Sequence, residues 1–134
     1  NLNIPLNTKL LKNLHQRRII IFTAKNNYKS RKLKQLGCEI IEMKIVNNML
    51  NLKKIFTNLY KLKISDLLVE AGGILFADLI KNNLVDELHL FKSQIHIGDK
   101  GIPVIEGNSL RNIEKKLIET IKFDDNLYTK HIIK

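Results

Sequence analysis

The sequence predicts an α/β fold in which a parallel βαβ core passes into a C-terminal antiparallel hairpin. Three observations carry that expectation. Arg18-Ile19-Ile20-Ile21-Phe22-Thr23-Ala24 is a short, continuous, β-branched run, the mark of a strand buried on both faces. Helical and strand-like stretches then alternate as far as Lys81, and such alternation implies right-handed βαβ units and a parallel sheet. Beyond Asp86 the pattern changes to a long strand with no helix after it, then to two strand-like runs flanking Asp124-Asp125-Asn126.

Each element has its own local reason. Asn3-Ile4-Pro5-Leu6 reads as an extended connection. Residues 28–36 form a helix ended by Gly37, and 38–43 a second strand. Asn47-Asn48 is the only soft internal linker candidate. Residues 50–62 place Leu52, Ile55, Phe56 and Leu59 at helical spacing. A third buried strand is expected over 66–69, followed by a helix over 74–81. Residues 86–97 read as the long strand, and Gly98-Asp99-Lys100-Gly101 as a turn or loop. In the hairpin, 115–123 and 127–133, Leu117, Ile121 and Phe123 alternate onto one face, with Glu119 interrupting them on the same side. No internal repeat, low-complexity tract or second domain is visible, so 1–134 reads as one domain.

A chain of 134 residues can bury a real core. It has no apolar run of about 18 residues and no charged-then-apolar leader, so neither a membrane partner nor secretion is expected. The single cysteine, Cys38, can form neither an internal disulfide nor a zinc site, which favours a reducing, cytoplasmic setting. The net charge of +10 raises a basic nucleic-acid-binding module as the alternative from a different class. The charge, however, is almost all lysine spread from Lys9 to Lys134, with only Arg17, Arg18, Arg31 and Arg111 as arginines. Lys, Asn and Ile are all abundant and share A/T-rich codons, so compositional bias accounts for the balance. The densest basic run, 25–34, holds one aromatic, Tyr28, and no stacking pattern. A solvated face, and no nucleic-acid partner, is the simpler reading.

The motif richest in chemistry is Leu67-Leu68-Val69-Glu70-Ala71-Gly72-Gly73-Ile74-Leu75-Phe76. An apolar strand runs into an acid and then into paired glycines that open a helix. The N–H groups of a first turn have no intrahelical partner and carry the positive end of the dipole, which suits a phosphate. Because Ile74, Leu75, Phe76 and Ala77 are apolar, with Asp78 next, contact with such a ligand falls to backbone N–H groups. Glu70, at the carboxyl end of a strand, can accept hydrogen bonds from an amino-pyrimidine or a ribose hydroxyl; the alternatives are a helix cap or a plain surface acid. Thr23-Ala24-Lys25-Asn26 ends the first strand at the same sheet edge, where a hydroxyl and a cation could hold an adenosine 2′-phosphate, or form an ordinary loop. Asp86 and Glu87 are adjacent on a strand and face opposite sides, which favours a structural role over paired acid/base work. His15, His89, His96 and His131 lack metal-ligand spacing, and Ser93 and Ser109 lack a nucleophile-elbow context. Cys38 reads as a small buried hydrophobe.

Taken together in order, Val69-Glu70-Ala71-Gly72-Gly73, Leu84-Val85-Asp86-Glu87-Leu88 and Ile97-Gly98 resemble the reductase domain of the bifunctional riboflavin-biosynthesis deaminase/reductase family. The resemblance runs from about Ile4 to the C-terminus and implies a dihydrofolate-reductase-like fold lacking the family's first strands. It implies NADPH-dependent reduction of 5-amino-6-(5-phosphoribosylamino)uracil, a phosphorylated aminouracil, to its ribitylamino product. Glu70 corresponds to the family's substrate-contacting acid, and Gly72, Gly73, Ile74, Leu75, Phe76, Ala77 and Asp78 to its cofactor-phosphate loop and helix start. No metal is needed in this half. Another dihydrofolate-reductase-like NADPH reductase is the alternative within the fold, although that enzyme usually has a neutral residue where Glu70 stands. Gln94 stands where the family usually has proline. Further expectations are a longer parent chain with a zinc deaminase domain upstream, poor activity of these 134 residues alone, and a homo-oligomer formed through an unpaired apolar edge or face.

Overall fold

A computed structural model describes residues 2–24, 26–46, 48–98, 101–105 and 112–134. The backbone divides into two units, Asn1–Ser65 and Asp66–Lys134. In the first, two short 3-10 helices, Lys9–Leu11 and Leu14–Gln16, precede strand β1, Ile20–Thr23. Helix α1, Tyr28–Gln35, connects β1 to β2, Glu39–Glu42, and the strands pair in parallel from Ile20↔Glu39 to Thr23↔Glu42. This is the expected βαβ unit. Both strands are shorter than their apolar runs. Arg18 lies outside the ladder, where its guanidinium forks onto the Glu39 carboxylate, with Nη2 2.9 Å from Oε2. That hydrogen bond holds Glu39 below the usual carboxylate range.

Capping explains where α1 starts and stops. The Asn27 side chain accepts from the Ser30 N–H at 3.0 Å, and Ser30 Oγ accepts from the Asn27 N–H at 2.9 Å, a reciprocal box. At the other end Gly37 sits at φ +105°, so the Gly37 and Cys38 N–H groups reach back to the carbonyls of Lys34 and Leu33, each at 3.0 Å. Leu33 and Cys38 are buried and supply the core of this unit. Burial pushes the Cys38 thiol up, in keeping with a packed hydrophobe and not a nucleophile.

Residues 45–50 contain a feature that the sequence reading passes over. Strands β3, Ile45–Val46, and β4, Met49–Leu50, form a small antiparallel hairpin, with Asn48 at φ 61°. Of the linker candidate Asn47-Asn48, Asn48 lies in a turn and residue 47 lies outside the described residues. Helix α2, Leu52–Lys61, follows, with the Asn51 side chain accepting from the Lys54 N–H at 3.0 Å.

In the second unit the third expected strand is absent. Residues 66–69 form no strand among the described residues, and Leu68 is 82% exposed. An apolar run becomes a buried strand only where neighbouring backbone completes its hydrogen bonds. Helix α3, Gly73–Lys81, ends at Asn83, which takes the left-handed conformation (φ 53°) that glycine takes after α1. Strand β5 covers only Glu87–Lys92 of the expected 86–97, because Ser93 Oγ accepts the Ile95 N–H at 3.2 Å and turns the chain. His96 is thus outside the strand that carries His89. Gly98 and Gly101 close a turn (N–H to O 3.1 Å); Asp99 and Lys100 lie outside the described residues.

The hairpin β6, Lys115–Phe123, and β7, Asn126–Ile133, forms as expected and joins β5 in an antiparallel sheet of order β5-β7-β6. Its register holds one correction. A bulge between Leu117 and Glu119 sets Leu117 opposite His131 and Glu119 opposite Lys130, so Leu117 faces the other side from Glu119, Ile121 and Phe123. Buried Leu88 shares the Leu117 face, and with Leu79 and Ile105 is among the buried apolar side chains of this unit. No helix among the described residues is long and apolar enough to cross a membrane.

Leu33 is fully buried, so Leu33→Ala should destabilise folding by about 2–5 kcal/mol, while Asn27→Ala, which removes one cap, should cost about 1 kcal/mol. Urea unfolding followed by far-UV circular dichroism measures both; equal losses would contradict this ranking.

Candidate functional site

The start of α3 differs physically from the starts of the other two helices. α1 and α2 are each closed by an asparagine side chain; at α3 the N-cap is Gly72, with no side-chain hydrogen bond and no acid in the first turn. The first intrahelical bond runs from the Phe76 N–H to the Gly72 carbonyl at 3.0 Å. The N–H groups of Gly73, Ile74 and Leu75 precede it, without intrahelical acceptors. Among the described residues, no side-chain cap and no first-turn acid compensates these donors or the positive dipole end.

Gly72 itself has φ −74° and ψ 166°, a conformation open to any residue. A Cβ added there would meet nothing within 4 Å. Neither backbone strain nor a contact among the described residues demands glycine at 72. Ile74 and Leu75 are exposed, while Phe76, Ala77 and Asp78 are half-buried. The Asp78 carboxylate is engaged along the helix, accepting from Asn82 Nδ2 at 3.0 Å.

Glu70 lies in the extended segment two residues before the helix cap and is exposed, with no hydrogen bond or ion pair among the described residues. The cap alternative for Glu70 falls away, since α3 has no side-chain cap. Glu70 and residues 72–78 are sequence neighbours within one unit, so a carboxylate acceptor and a cluster of backbone donors stand a few residues apart. Thr23 belongs to the other unit: it ends β1, is buried, and its carbonyl accepts the Met43 N–H at 2.8 Å. Lys25 lies outside the described residues. Among the described residues no group of three or more His, Cys, Asp or Glu could hold a metal ion.

Over residues 1–128 the chain matches the family model described as the RibD C-terminal domain. It belongs to the RibD C-terminal domain family. It is 33% identical over 129 residues to the riboflavin biosynthesis protein RibD of Aquifex aeolicus, covering 92% of this chain and 34% of that protein. To the 2,5-diamino-6-ribosylamino-4(3H)-pyrimidinone 5′-phosphate reductase of the same organism it is 29% identical over 107 residues, covering 78% of this chain and 46% of that one. Among solved structures, RibD of Acinetobacter baumannii matches all of this chain and 36% of its own with a TM-score of 0.81 at 20% identity. A deaminase/reductase from Thermotoga maritima matches 92% of this chain and 32% of its own, with a TM-score of 0.67 at 19% identity. The family and the mixed α/β fold class expected from the sequence are borne out, and the chain spans between a third and a half of the curated relatives it matches.

Within this RibD C-terminal domain one polar network escaped the sequence reading. Glu87 Oε2 is 2.9 Å from Lys130 Nζ and 3.2 Å from His89 Nε2, and His89 Nδ1 is 2.9 Å from the Tyr128 hydroxyl. The strand-edge role expected for Glu87 thus holds, while Asp86 contributes its carbonyl to the Ile133 N–H at 3.0 Å. Only the register, with Glu87, His89 and Phe91 set across from Ile132, Lys130 and Tyr128, brings these residues together; residue spacing carries no signal for it.

The hydrogen bond from Lys130, and then that from His89, hold the Glu87 carboxyl below its ordinary value. A depressed carboxylate stabilises the fold above its unfolded value of about 4.3 and loses that contribution as pH falls through the folded value. Glu87→Gln should therefore be less stable than the native chain at neutral pH, with the gap closing in acid. Paired thermal melts at neutral and acidic pH check this; a gap that widens in acid contradicts it.

Proposed function

We propose that this chain is reductase machinery of riboflavin biosynthesis, with 1–134 forming part of a single reductase domain. The reaction it would serve is the NADPH-dependent conversion of 5-amino-6-(5-phosphoribosylamino)uracil to the ribitylamino product. The observation that supports this most is the bare N-terminus of α3. It offers N–H donors with no side-chain cap, beside Gly72, where an added Cβ would meet nothing within 4 Å, and two residues after Glu70, which has no hydrogen bond or ion pair among the described residues, in a chain of the RibD C-terminal domain family. The relatives named as a riboflavin biosynthesis protein and as a pyrimidinone phosphate reductase point the same way.

The donor set fits a dinucleotide phosphate. In this reading the first-turn N–H groups of Gly73, Ile74 and Leu75 bind it, Gly72 admits it without a side chain, and Phe76, Ala77 and Asp78 follow in the second turn and hold the helix. Bound NADPH supplies a hydride. In the net conversion one C–H bond forms at the anomeric carbon, the ring C–O bond breaks, and the departing oxygen takes a proton. The Glu70 carboxylate accepts hydrogen bonds from the aminouracil or a sugar hydroxyl and so orients the substrate. The same reading includes a longer, cytoplasmic parent with a zinc deaminase domain upstream, working as a homo-oligomer.

Two substitutions separate this reading from a plain strand–turn–helix. Gly72→Asp adds a capping carboxylate to a bare helix end, so it should raise stability by a few tenths to about 1 kcal/mol. The same carboxylate repels a phosphate, so NADPH affinity should fall at least roughly tenfold. Isothermal titration of NADPH and a thermal melt give both signs; unchanged affinity defeats the site. Glu70→Gln, in the longer parent enzyme, should cut turnover of the aminouracil substrate while NADPH affinity stays as it was. Steady-state kinetics with unaltered turnover would remove Glu70 from the substrate.

A further inference from the structure

The charge of this chain divides unevenly between its two units. Residues 1–65 hold 14 basic and 2 acidic residues, and residues 66–134 hold 9 and 11. The first unit is therefore +12 and the second −2, so the whole excess belongs to the first. Codon bias enriches lysine throughout, and lysine is spread along the chain; it does not remove acids from one part. Of the two acids in the first unit, Glu39 is already held by the Arg18 guanidinium, with Nη2 2.9 Å from Oε2. Weighed as a total, the charge reads as a solvated face. Divided by unit, it reads as a surface for a polyanion.

The helices of this unit bear the charge against their own stability. α1 holds Lys29, Arg31, Lys32 and Lys34 and no acid. Lys29 and Lys32 stand three apart, as do Arg31 and Lys34, and such like-charge neighbours destabilise a helix. Lys29 also lies in the first turn, beside the positive end of the dipole. α2 turns Lys53, Lys54, Thr57, Tyr60 and Lys61 outward, all exposed and again without an acid. Its apolar residues, Leu52, Ile55, Phe56 and Leu59, are half-buried.

The aromatic residues indicate which polyanion. Two of the chain's three tyrosines stand among these cations: Tyr28 is 66% exposed and Tyr60 76%. The Lys32 ammonium lies 5.6 Å from the centroid of the Tyr28 ring, and Tyr60 is next to Lys61. Exposed rings among cations suit a single strand, whose phosphates meet the cations and whose unpaired bases stack on the rings. A duplex keeps its bases stacked on one another, and an acidic peptide has no bases to stack. A lipid surface calls for an exposed apolar helix face, and on α2 the exposed face is the cationic one. We propose that the first unit, Asn1–Ser65, binds single-stranded nucleic acid, with the cations of α1 and α2 on its phosphates and Tyr28 and Tyr60 as stacking platforms. This goes beyond the reductase reading and does not depend on it.

Fluorescence anisotropy of a labelled single-stranded thymidine oligonucleotide, with the whole 134-residue chain, tests it. The native chain should bind at low salt, and the logarithm of its affinity should fall linearly with the logarithm of salt concentration. Lys53→Gln, Lys54→Gln and Lys61→Gln together should weaken binding at least roughly tenfold. They should also flatten the salt slope by about 2, since each phosphate contact on a single strand contributes about 0.7. The charge-matched set Lys92→Gln, Lys122→Gln and Lys134→Gln, in the other unit, should leave both quantities as they were. Tyr28→Leu or Tyr60→Leu should weaken binding about fivefold or more at an unchanged salt slope, while Tyr60→Phe keeps native affinity, because stacking needs the ring and not the hydroxyl. Absence of binding at low salt overturns the proposal, as does an equal loss from the two lysine sets. A duplex bound as tightly as the single strand, or leucine variants of native affinity, also overturns it. Displacement by polyglutamate or by anionic phospholipid vesicles, as readily as by unlabelled strand, overturns it in favour of an acidic peptide or a lipid surface. NADPH enters none of these measurements, so the two readings stand or fall separately.

Discussion

Every backbone N–H and C=O that leaves water must find a partner, and that demand sorts the apolar runs of this chain into strands and non-strands. Ile20–Thr23 and Glu39–Glu42 satisfy one another in parallel, and α1 crosses between them. Asn126–Ile133 is bonded along both edges and anchors the second sheet. Leu67-Leu68-Val69 is as apolar as either, yet it stays outside any ladder among the described residues. Hydrophobicity selects candidates; hydrogen-bond partners decide among them.

The same accounting governs the helix ends. All three helices close at their C-termini with the same backbone pattern, through Gly37, Lys63 and Asn83 at positive φ. Glycine does this without steric cost, and lysine and asparagine are held in it by the two reciprocal hydrogen bonds of the motif. At the N-termini the accounting is left incomplete at one place. Asn27 and Asn51 close α1 and α2; no side chain among the described residues closes α3. An unfilled set of donors on a helix is a standing demand for an anion or for water, and at Gly72 there is room for the former.

These limits explain what could be read from residues alone. The βαβ unit, the hairpin and the helix after the paired glycines were legible because each rests on local signals: β-branched runs, Asn and Gly caps, and an Asp-Asp-Asn turn. The ends of β1 and β5 were not, because they depend on a particular partner, Glu39 for Arg18 and the Ile95 N–H for Ser93. The bulge at Ile118 was illegible for the same reason, and it alone sets Leu117 apart from Ile121 and Phe123. Of the site, Glu70 and the glycines stood out as a motif. The Glu87–Lys130–His89–Tyr128 network did not, since it joins residues up to 43 positions apart through strand register.

Register also changes the meaning of the chain's charge. Summed over the sequence, +10 describes a molecule that repels its own copies and attracts anions. Resolved onto surfaces, the charge is uneven. Lys92 and Lys122 point to the side of the sheet that bears Leu88, and the acids Glu87 and Glu119 cancel the lysines on the other. Interactions between exposed charges fall off over roughly 8 Å at physiological ionic strength, so each face acts through its local charge more than through the total. A phosphate-bearing ligand likewise answers to the charge near it and to the uncapped end of α3. The excess of lysine is therefore carried by other surfaces, because alternation along β5, β6 and β7 keeps the outward face of this sheet in balance.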